Sequence, residues 1–381
     1  MPKLTKKNSL KKIKVAVPSL NIKEYKRIKE VILNGKIVSG KYVKEFEEKF
    51  SKFIGTNYAC AVNSGTAALH TALRCLEIKP GSEVIVPAIS FMSTASAVIH
   101  HNCIPKFCDI SIKDYCIDTN DLKKKISNKT KAVIITHFTG NVCNLSEIKR
   151  ILKKKNIPLI EDCAQAHGSE FNNKKVGSFG DISCFSFYVT KHMTTGEGGV
   201  LCFNKKKYER ISKMFRNHGL KNRDEHEIVG YNYRMNEIAA LIGIEQLKKV
   251  DKINNQRIQN SKYLIKSLKK IKQNWFELQQ IPNYSKHTFF WLALRIIDKK
   301  IKLSKVIKYL SQKGIEVRSR YNYPLYKHPL FLNLKGRNQN YNRVFLSESE
   351  KLAGNIFGLP NHQKLKKNDL DYIINTVSNF K

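Results

Sequence analysis

The sequence predicts an α/β fold on a mostly parallel sheet, followed by a smaller α+β unit. Three observations carry this expectation. Short β-branched apolar runs alternate with longer amphipathic stretches between about residues 58 and 203. The chain has 381 residues, of which 41% are hydrophobic and 10% aromatic, enough for a large buried core and too apolar for disorder along its whole length. Beyond residue 236 the alternation gives way to sustained helical spacing and then to scattered strand-like runs.

Taken in order, the predicted strands are YACAV (58–62), EVIVP (83–87), KAVIIT (131–136), IPLIED (157–162), ISCFSF (182–187) and GVLCF (199–203). Each is short and rich in residues that suit a pleated, buried surface. Between them, TAALHTALRCL (66–76) and LSEIKRILKKK (145–155) place apolar residues at helical intervals. From 236 to about 272 the pattern reads as one long helical stretch. FFWLALRI (289–296), IEVRSR (315–320) and a last helix near 368–379 then suggest a smaller domain. This divides the chain into a large domain over 1–250, including the N-terminal segment, and a small C-terminal domain over 251–381. There is no internal repeat.

Lys plus Arg number 69 against 31 for Asp plus Glu, a formal net charge of +38. Such a charge raises a polyanion-binding regulatory protein as a reading. The short lysine runs at 123–125, 153–155 and 205–207 lie far apart, however, and the other lysines are spread along the chain. Dispersed bias of this kind names no specific nucleic acid, although its field favours encounter with an anionic small molecule. The nine cysteines include no Cys-x-x-Cys pair and none beyond Cys202, which argues against zinc and against a disulfide framework. Reduced thiols in apolar segments point to a reducing cytosol and a cytoplasmic location. No apolar run has the length of a signal-peptide core or a membrane span.

Three motifs can carry chemistry. Asn63-Ser64-Gly65-Thr66 follows a predicted strand and opens a helix, so its backbone N–H groups and hydroxyls can cradle an anion; an ordinary N-cap is the alternative. Glu161-Asp162 ends a predicted strand, where open α/β sheets bind ligands, with Gln165 and His167 just beyond; Asp at a strand end is also a common turn residue. SCFSFYVTKHMTTGEGG (183–199) runs from an apolar strand through Lys191 into a glycine-rich loop. It lacks the Gly-Lys-Ser/Thr of a phosphate-binding Walker loop, and no G-x-G-x-x-G closes a βα turn. Together the three supply an anion cup, a carboxylate able to keep a pyridine nitrogen protonated, and an amine. A pyridoxal phosphate enzyme needs that combination.

With these motifs in place the sequence resembles the DegT/DnrJ/EryC1/StrS family of sugar aminotransferases, in the aspartate aminotransferase superfamily of fold type I. The resemblance runs from VAVPSL (15–20) and VKEFEEKFSKFIG (43–55) through NSGTAALHTAL, IEDCAQAHGS, the lysine block, RNHG (216–219) and GYNYRMNEIAALIG (230–243). It implies a fold type I large domain with a mostly parallel mixed sheet and a smaller C-terminal α+β domain. It also implies pyridoxal 5'-phosphate as cofactor and a homodimer with shared active sites. The implied reaction moves an amino group, from L-glutamate, to C4 or C3 of a nucleotide-linked deoxysugar. Carried over by residue, Lys191 matches the Schiff-base lysine and Asp162 the partner of the pyridinium nitrogen. Gln165 matches the residue near the phenolic oxygen and Phe91 the stacking aromatic. Gly65, Thr66 and Ser186 match phosphate-binding positions, and Asn232, with Arg234 beside it, matches the segment reaching the neighbouring subunit's cofactor. One departure is His192, where many members carry Asn. A branch that replaces the lysine itself by histidine acts as a 3-dehydratase, so Lys191 favours transfer over dehydration. His218 is a candidate sugar contact, whereas His137 and His167 read as structural. Arg318, Arg320, Tyr321, Tyr323, Lys327 and His328 are candidates for the nucleotide end of the substrate, the arginines as a fork on a diphosphate.

Overall fold

The computed structural model describes residues 12–271, 274–334 and 340–380. Its centre is a seven-stranded sheet. The strands are β1 (Tyr58–Val62), β2 (Glu83–Pro87), β3 (Ile104–Cys108), β4 (Thr130–Thr136) and β5 (Leu159–Asp162). After the two-residue strands β6 (Glu170–Phe171) and β7 (Lys174–Lys175), β8 (Ile182–Ser186) and β9 (Gly199–Phe203) complete it. The spatial order is β1-β9-β8-β5-β4-β2-β3, and only β9 runs antiparallel to its neighbours. All six predicted strands are present. The seventh, β3, was hidden by Pro105 and Lys106, which interrupt the apolar run and are tolerated because β3 is an edge strand.

Helices cover both faces of the sheet, and each face builds its own core. On one side α1 (Ile22–Leu33) is followed by α2 (Lys41–Ile54), which sends Phe46 and Phe50 under the strand that leads to the lysine loop. Their rings meet Phe187 at 5.4 Å and Phe185 at 4.9 Å, edge to face. Each buried phenyl contributes about 2 kcal/mol. On the other side α3 (Gly65–Cys75) and α4 (Met92–His100) pack Leu69, Leu73 and Val98 against Val86 and Ile134. Leu325, Tyr326, Phe331 and Tyr341 join this second core from the C-terminal part of the chain. All nine cysteines are buried, and none of them forms a disulfide.

The stretch expected as one helix is two, Glu237–Leu247 and Val250–Leu268, with Lys249 leaving helical geometry at φ −122° and ψ 1°. The reason is a change of partner. Ala239, Leu241 and Ile244 belong to the core beneath α2, whereas Leu264 and Leu268 belong to a third core. That core lies under a three-stranded sheet of β10 (Phe276–Leu278), β12 (Leu292–Ile296) and β13 (Ile356–Leu359), while the short β11 (Ser285–Lys286) pairs with β6. IEVRSR forms only isolated bridges, Ile315 to Ile13 and Arg318 to Gly358. Phe289 to Trp291 precede β12 without joining it, and the last helix spans Lys367–Ser378. No helix among the described residues is long and apolar enough to cross a membrane.

Candidate active site

The carboxyl ends of β5 and β8, the turn after β1 and the turn after β2 converge on one cavity of about 400 Å³. At its base the first turn of α3 serves two purposes. The Ser64 hydroxyl accepts the Ala67 N–H at 3.1 Å as an N-cap, and Gly65 and Thr66 line the cavity. The cap uses one first-turn N–H, so the same turn can serve both as N-cap and as an anion cup. Glycine is required here: a Cβ on Gly65 would lie 2.7 Å from Cβ of Ser186, which lines the same wall from the end of β8.

Asp162 is buried, with both carboxylate oxygens occupied. Thr94 donates its hydroxyl to Oδ2 at 2.8 Å, and the Ala164 N–H reaches Oδ1 at 3.1 Å. Behind Thr94, the Ser90 hydroxyl lies 2.8 Å away, and Thr136 of β4 continues the chain at 3.0 Å. Burial pushes the Asp162 carboxyl above its ordinary range, against the pull of these donors and of the Lys191 charge. Lys191, on the loop after β8, places Nζ 4.7 Å from the centre of the Phe290 ring. Burial pushes its ammonium down to about 8, Asp162 opposes that, and Arg318 and Arg320 add to it. Lys191 is thus tuned toward a readily deprotonated amine beside a hydrogen-bonded carboxylate.

Gln165 is held from both ends. Its Oε1 accepts the Thr139 N–H at 2.9 Å and its Nε2 faces the Tyr321 hydroxyl at 3.4 Å. Phe91 lines the mouth with 51% of its surface open, a large flat aromatic with no ring contact among the described residues. Asn232 does not line the cavity. It is exposed, and its carbonyl accepts from Asn63 Nδ2 at 3.2 Å, so GYNYRM runs alongside the end of β1, where Arg234 pairs with Val62 and donates to Asn217 at 2.6 Å.

The other candidates divide. Arg318, Arg320 and Tyr321 line the cavity; Tyr323, Lys327 and His328 do not, and Lys327 is paired with Glu350 at 2.7 Å. His218 is exposed on a left-handed backbone, φ 56°, away from the cavity. In the same RNHG motif Arg216 is structural, bonded to Glu47 and to the Ala61 carbonyl at 2.6 Å. His137 is buried between two partners, its Nε2 3.0 Å from Glu161 and its Nδ1 accepting the Cys143 N–H at 3.2 Å. Glu161 also accepts the N–H groups of Gly177, Phe179 and Gly180 at 2.7 to 2.9 Å, pinning that loop. His167 and His192 lie in the core with ring centres 5.5 Å apart, and burial pushes both well down, so both are neutral. The hydroxyl chain Ser90, Thr94 and Thr136 and the wall of Phe290 and Trp291 went unnoticed in the sequence. Serines and threonines that converge only through folding leave no local signal.

These residues fit pyridoxal phosphate. The helix start supplies N–H donors and hydroxyls for a phosphate, glycine allows its close approach, and amine, carboxylate and aromatic face one space. The model of the DegT/DnrJ/EryC1/StrS aminotransferase family matches residues 18–378. GDP-perosamine synthase of Escherichia coli O157:H7 is 33% identical over 376 residues, covering 97% of this chain and 99% of the relative. UDP-4-amino-4,6-dideoxy-N-acetyl-beta-L-altrosamine transaminase of Campylobacter jejuni is also 33% identical, with 92% of each chain covered. Among solved structures, a Helicobacter pylori aminotransferase involved in pseudoaminic acid biosynthesis superposes with a TM-score of 0.89 at 28% identity, over 96% of this chain and 98% of that one. A GDP-4-keto-6-deoxymannose-3-dehydratase with bound GDP-perosamine gives 0.87 at 28% identity, over 96% and 100%. A match over almost the whole length, with the lysine, the carboxylate and the helix start meeting in one cavity, settles the family: the chain is a fold type I α/β enzyme and belongs to the DegT/DnrJ/EryC1/StrS aminotransferases.

Proposed function

We propose that this enzyme moves an amino group from L-glutamate to the C4 or C3 keto carbon of a nucleotide-linked deoxysugar, using pyridoxal 5'-phosphate. The observation that carries the reading is Lys191 and Asp162 in one cavity with the first turn of α3. The named relatives that act on nucleotide sugars support the substrate class. When bound, the cofactor supplies an electron sink for charge that develops at the substrate carbon. Asp162, as a carboxylate fixed by Thr94 and Ala164, holds a proton on the ring nitrogen. Lys191 takes the proton from the donor's α-carbon and later delivers one to the sugar carbon, a task suited to an amine that titrates near 8. Phe91 would stack on the cofactor ring, Gln165 would serve its phenolic oxygen, and Gly65, Thr66 and Ser186 would hold its phosphate. Asn232, exposed beside the cup of its own chain, reaches the cofactor of a second copy in a homodimer. Nine buried cysteines outside any disulfide support a reducing, cytoplasmic setting.

Likeness to a 3-dehydratase keeps dehydration as the rival. Lys191 counts against it, because that branch replaces this lysine by histidine. To test the reading, the protein is loaded with pyridoxal phosphate and given L-glutamate with GDP-, UDP- or dTDP-linked 4-keto-6-deoxy sugars. Formation of 2-oxoglutarate together with an amino sugar is expected. Loss of the sugar hydroxyl without amination would establish the rival, and inertness toward every sugar would remove the substrate class.

A further inference from the structure

Lys191 has a seat: its Nζ lies 4.7 Å from the centre of the Phe290 ring, near enough for the ring face to attract an ammonium. Phe290 is placed there through an uncommon backbone at its neighbour. Phe289 is left-handed, φ 52°, a region that a bulky side chain keeps only where the surroundings over-determine it. Those surroundings are explicit. The Phe289 N–H donates to Nδ1 of His287 at 2.8 Å, and the Trp291 N–H donates to the Thr139 carbonyl at 3.2 Å. The Phe289 carbonyl accepts from Nδ2 of Asn361, just beyond β13, at 3.0 Å. It also accepts from Nη1 of Arg257, on the helix Val250–Leu268, at 3.4 Å. The same Arg257 nitrogen donates to the Asn361 carbonyl at 3.0 Å, so the two side chains close on Phe289 as one clamp.

Arg257 is 3% exposed, forms no ion pair among the described residues, and has no partner among them for its Nε. Burial, with Arg318 adding to it, pushes its guanidinium down to about 9. An apolar side chain would fill that space without burying a charge, so the use of the guanidinium lies in what it holds. We infer that Arg257 is a positioning residue for Lys191: by clamping the Phe289 carbonyl it keeps the Phe290 ring in place as the seat of the lysine's ammonium. This rests on the aminotransferase reading above, in which Lys191 alternates between amine and ammonium. The charged groups around Lys191 are Asp162 at the end of β5, Arg318 and Arg320 on the segment after residue 315, and Glu197 on the rim. His167 and His192 beside it are neutral, Tyr321, held up to about 12, keeps its proton, and Tyr188 lies on the same loop. The variants below change none of these groups.

Cofactor-free protein is mixed with pyridoxal phosphate across about pH 6 to 10, and capture is followed by stopped-flow absorbance; in the wild type the rate should rise through about 8. Phe290→Leu removes the ring that attracts the ammonium and should lower that midpoint by about half a pH unit. Arg257→Met should lower it too, and adding Phe290→Leu to it should lower it no further. Loss of the Arg257 charge alone acts with the opposite sign, because one cation fewer nearby favours an ammonium. A midpoint unchanged or raised in Arg257→Met, or shifts that simply add, would make Arg257 a structural brace with no hold on Lys191. That overturns the inference and leaves the aminotransferase reading standing. Where Arg257→Met does not fold, Asn361→Ala takes its place, since it removes the clamp's other donor without changing a charge: a lowered midpoint supports the inference and an unchanged one overturns it. A wild-type protein that captures no pyridoxal phosphate overturns both.

Discussion

At the scale of single residues, the proposed chemistry follows from a buried carboxyl and a half-buried amine pushed toward each other's proton affinity. Lys191 titrates near 8 because burial and two arginines outweigh the attraction of Asp162. Only the neutral amine attacks an aldehyde, so capture of pyridoxal phosphate by the cofactor-free protein should accelerate as pH rises through about 8 and level off above it. Stopped-flow absorbance measures this, and Lys191→Ala should show neither the rise nor a borohydride-stable adduct at wild-type stoichiometry. Asp162 is the other half. Its amide replacement cannot hold a proton on a ring nitrogen, so Asp162→Asn should keep the fold and part of the cofactor while losing turnover on the order of 100-fold, equivalent to about 3 kcal/mol. Turnover within threefold of wild type would take Asp162 out of the mechanism.

At the scale of elements, the start of α3 joins stability to binding, and its two residues should separate them. Ser64→Ala removes the cap to Ala67 and should cost about 1 kcal/mol in denaturant titration. Gly65→Ala places a methyl group 2.7 Å from the Ser186 Cβ, so beyond the roughly 1–3 kcal/mol that overpacking costs it should weaken cofactor affinity at least tenfold. Equal affinity in Gly65→Ala would mean that the phosphate sits elsewhere. The loop at 177–180 depends on a different device, Glu161 beneath three backbone N–H groups with His137 beside it. Nδ1 of His137 accepts the Cys143 N–H at 3.2 Å, so its Nε2–H is the donor to Glu161 and the ring is neutral.

At the scale of the whole molecule, the question is where a cofactor cup is completed. Asn232 is exposed beside the cup of its own chain and outside its cavity, as a residue serving a second copy would be. Lys191→Ala and Asn232→Asp, each inactive alone, should then complement when refolded together, because a mixed dimer holds one doubly damaged site and one intact site. Random pairing returns about a quarter of wild-type activity. Absence of recovery, with mixed dimers demonstrated and Asn232→Asp itself inactive, would mean that each chain builds its own site. The +38 charge belongs to this scale as well, as a diffuse field that favours anionic substrates without specifying one.

By itself the sequence determined what is encoded over short distances. Short continuous apolar runs gave away six strands and helical spacing the flanking helices, and ordered motifs carried Lys191, Asp162, Gln165 and the Ser64–Thr66 turn, which lie next to strand ends that define them. Edge strand β3 escaped because its proline and lysine break the apolar pattern, and the kink at Lys249 escaped because both halves keep helical spacing while changing cores. Only the tertiary structure decided the rest. It brought Thr94, Ser90 and Thr136 into one chain behind Asp162, separated Arg318 and Arg320 from Tyr323 and Lys327, and showed that Arg216 and Glu161 are structural braces. The physical reason is that hydrogen bonding, desolvation and charge pairing depend on which side chains meet across the sheet. A local pattern specifies an element's shape, whereas those meetings are made when strands distant in the chain become neighbours.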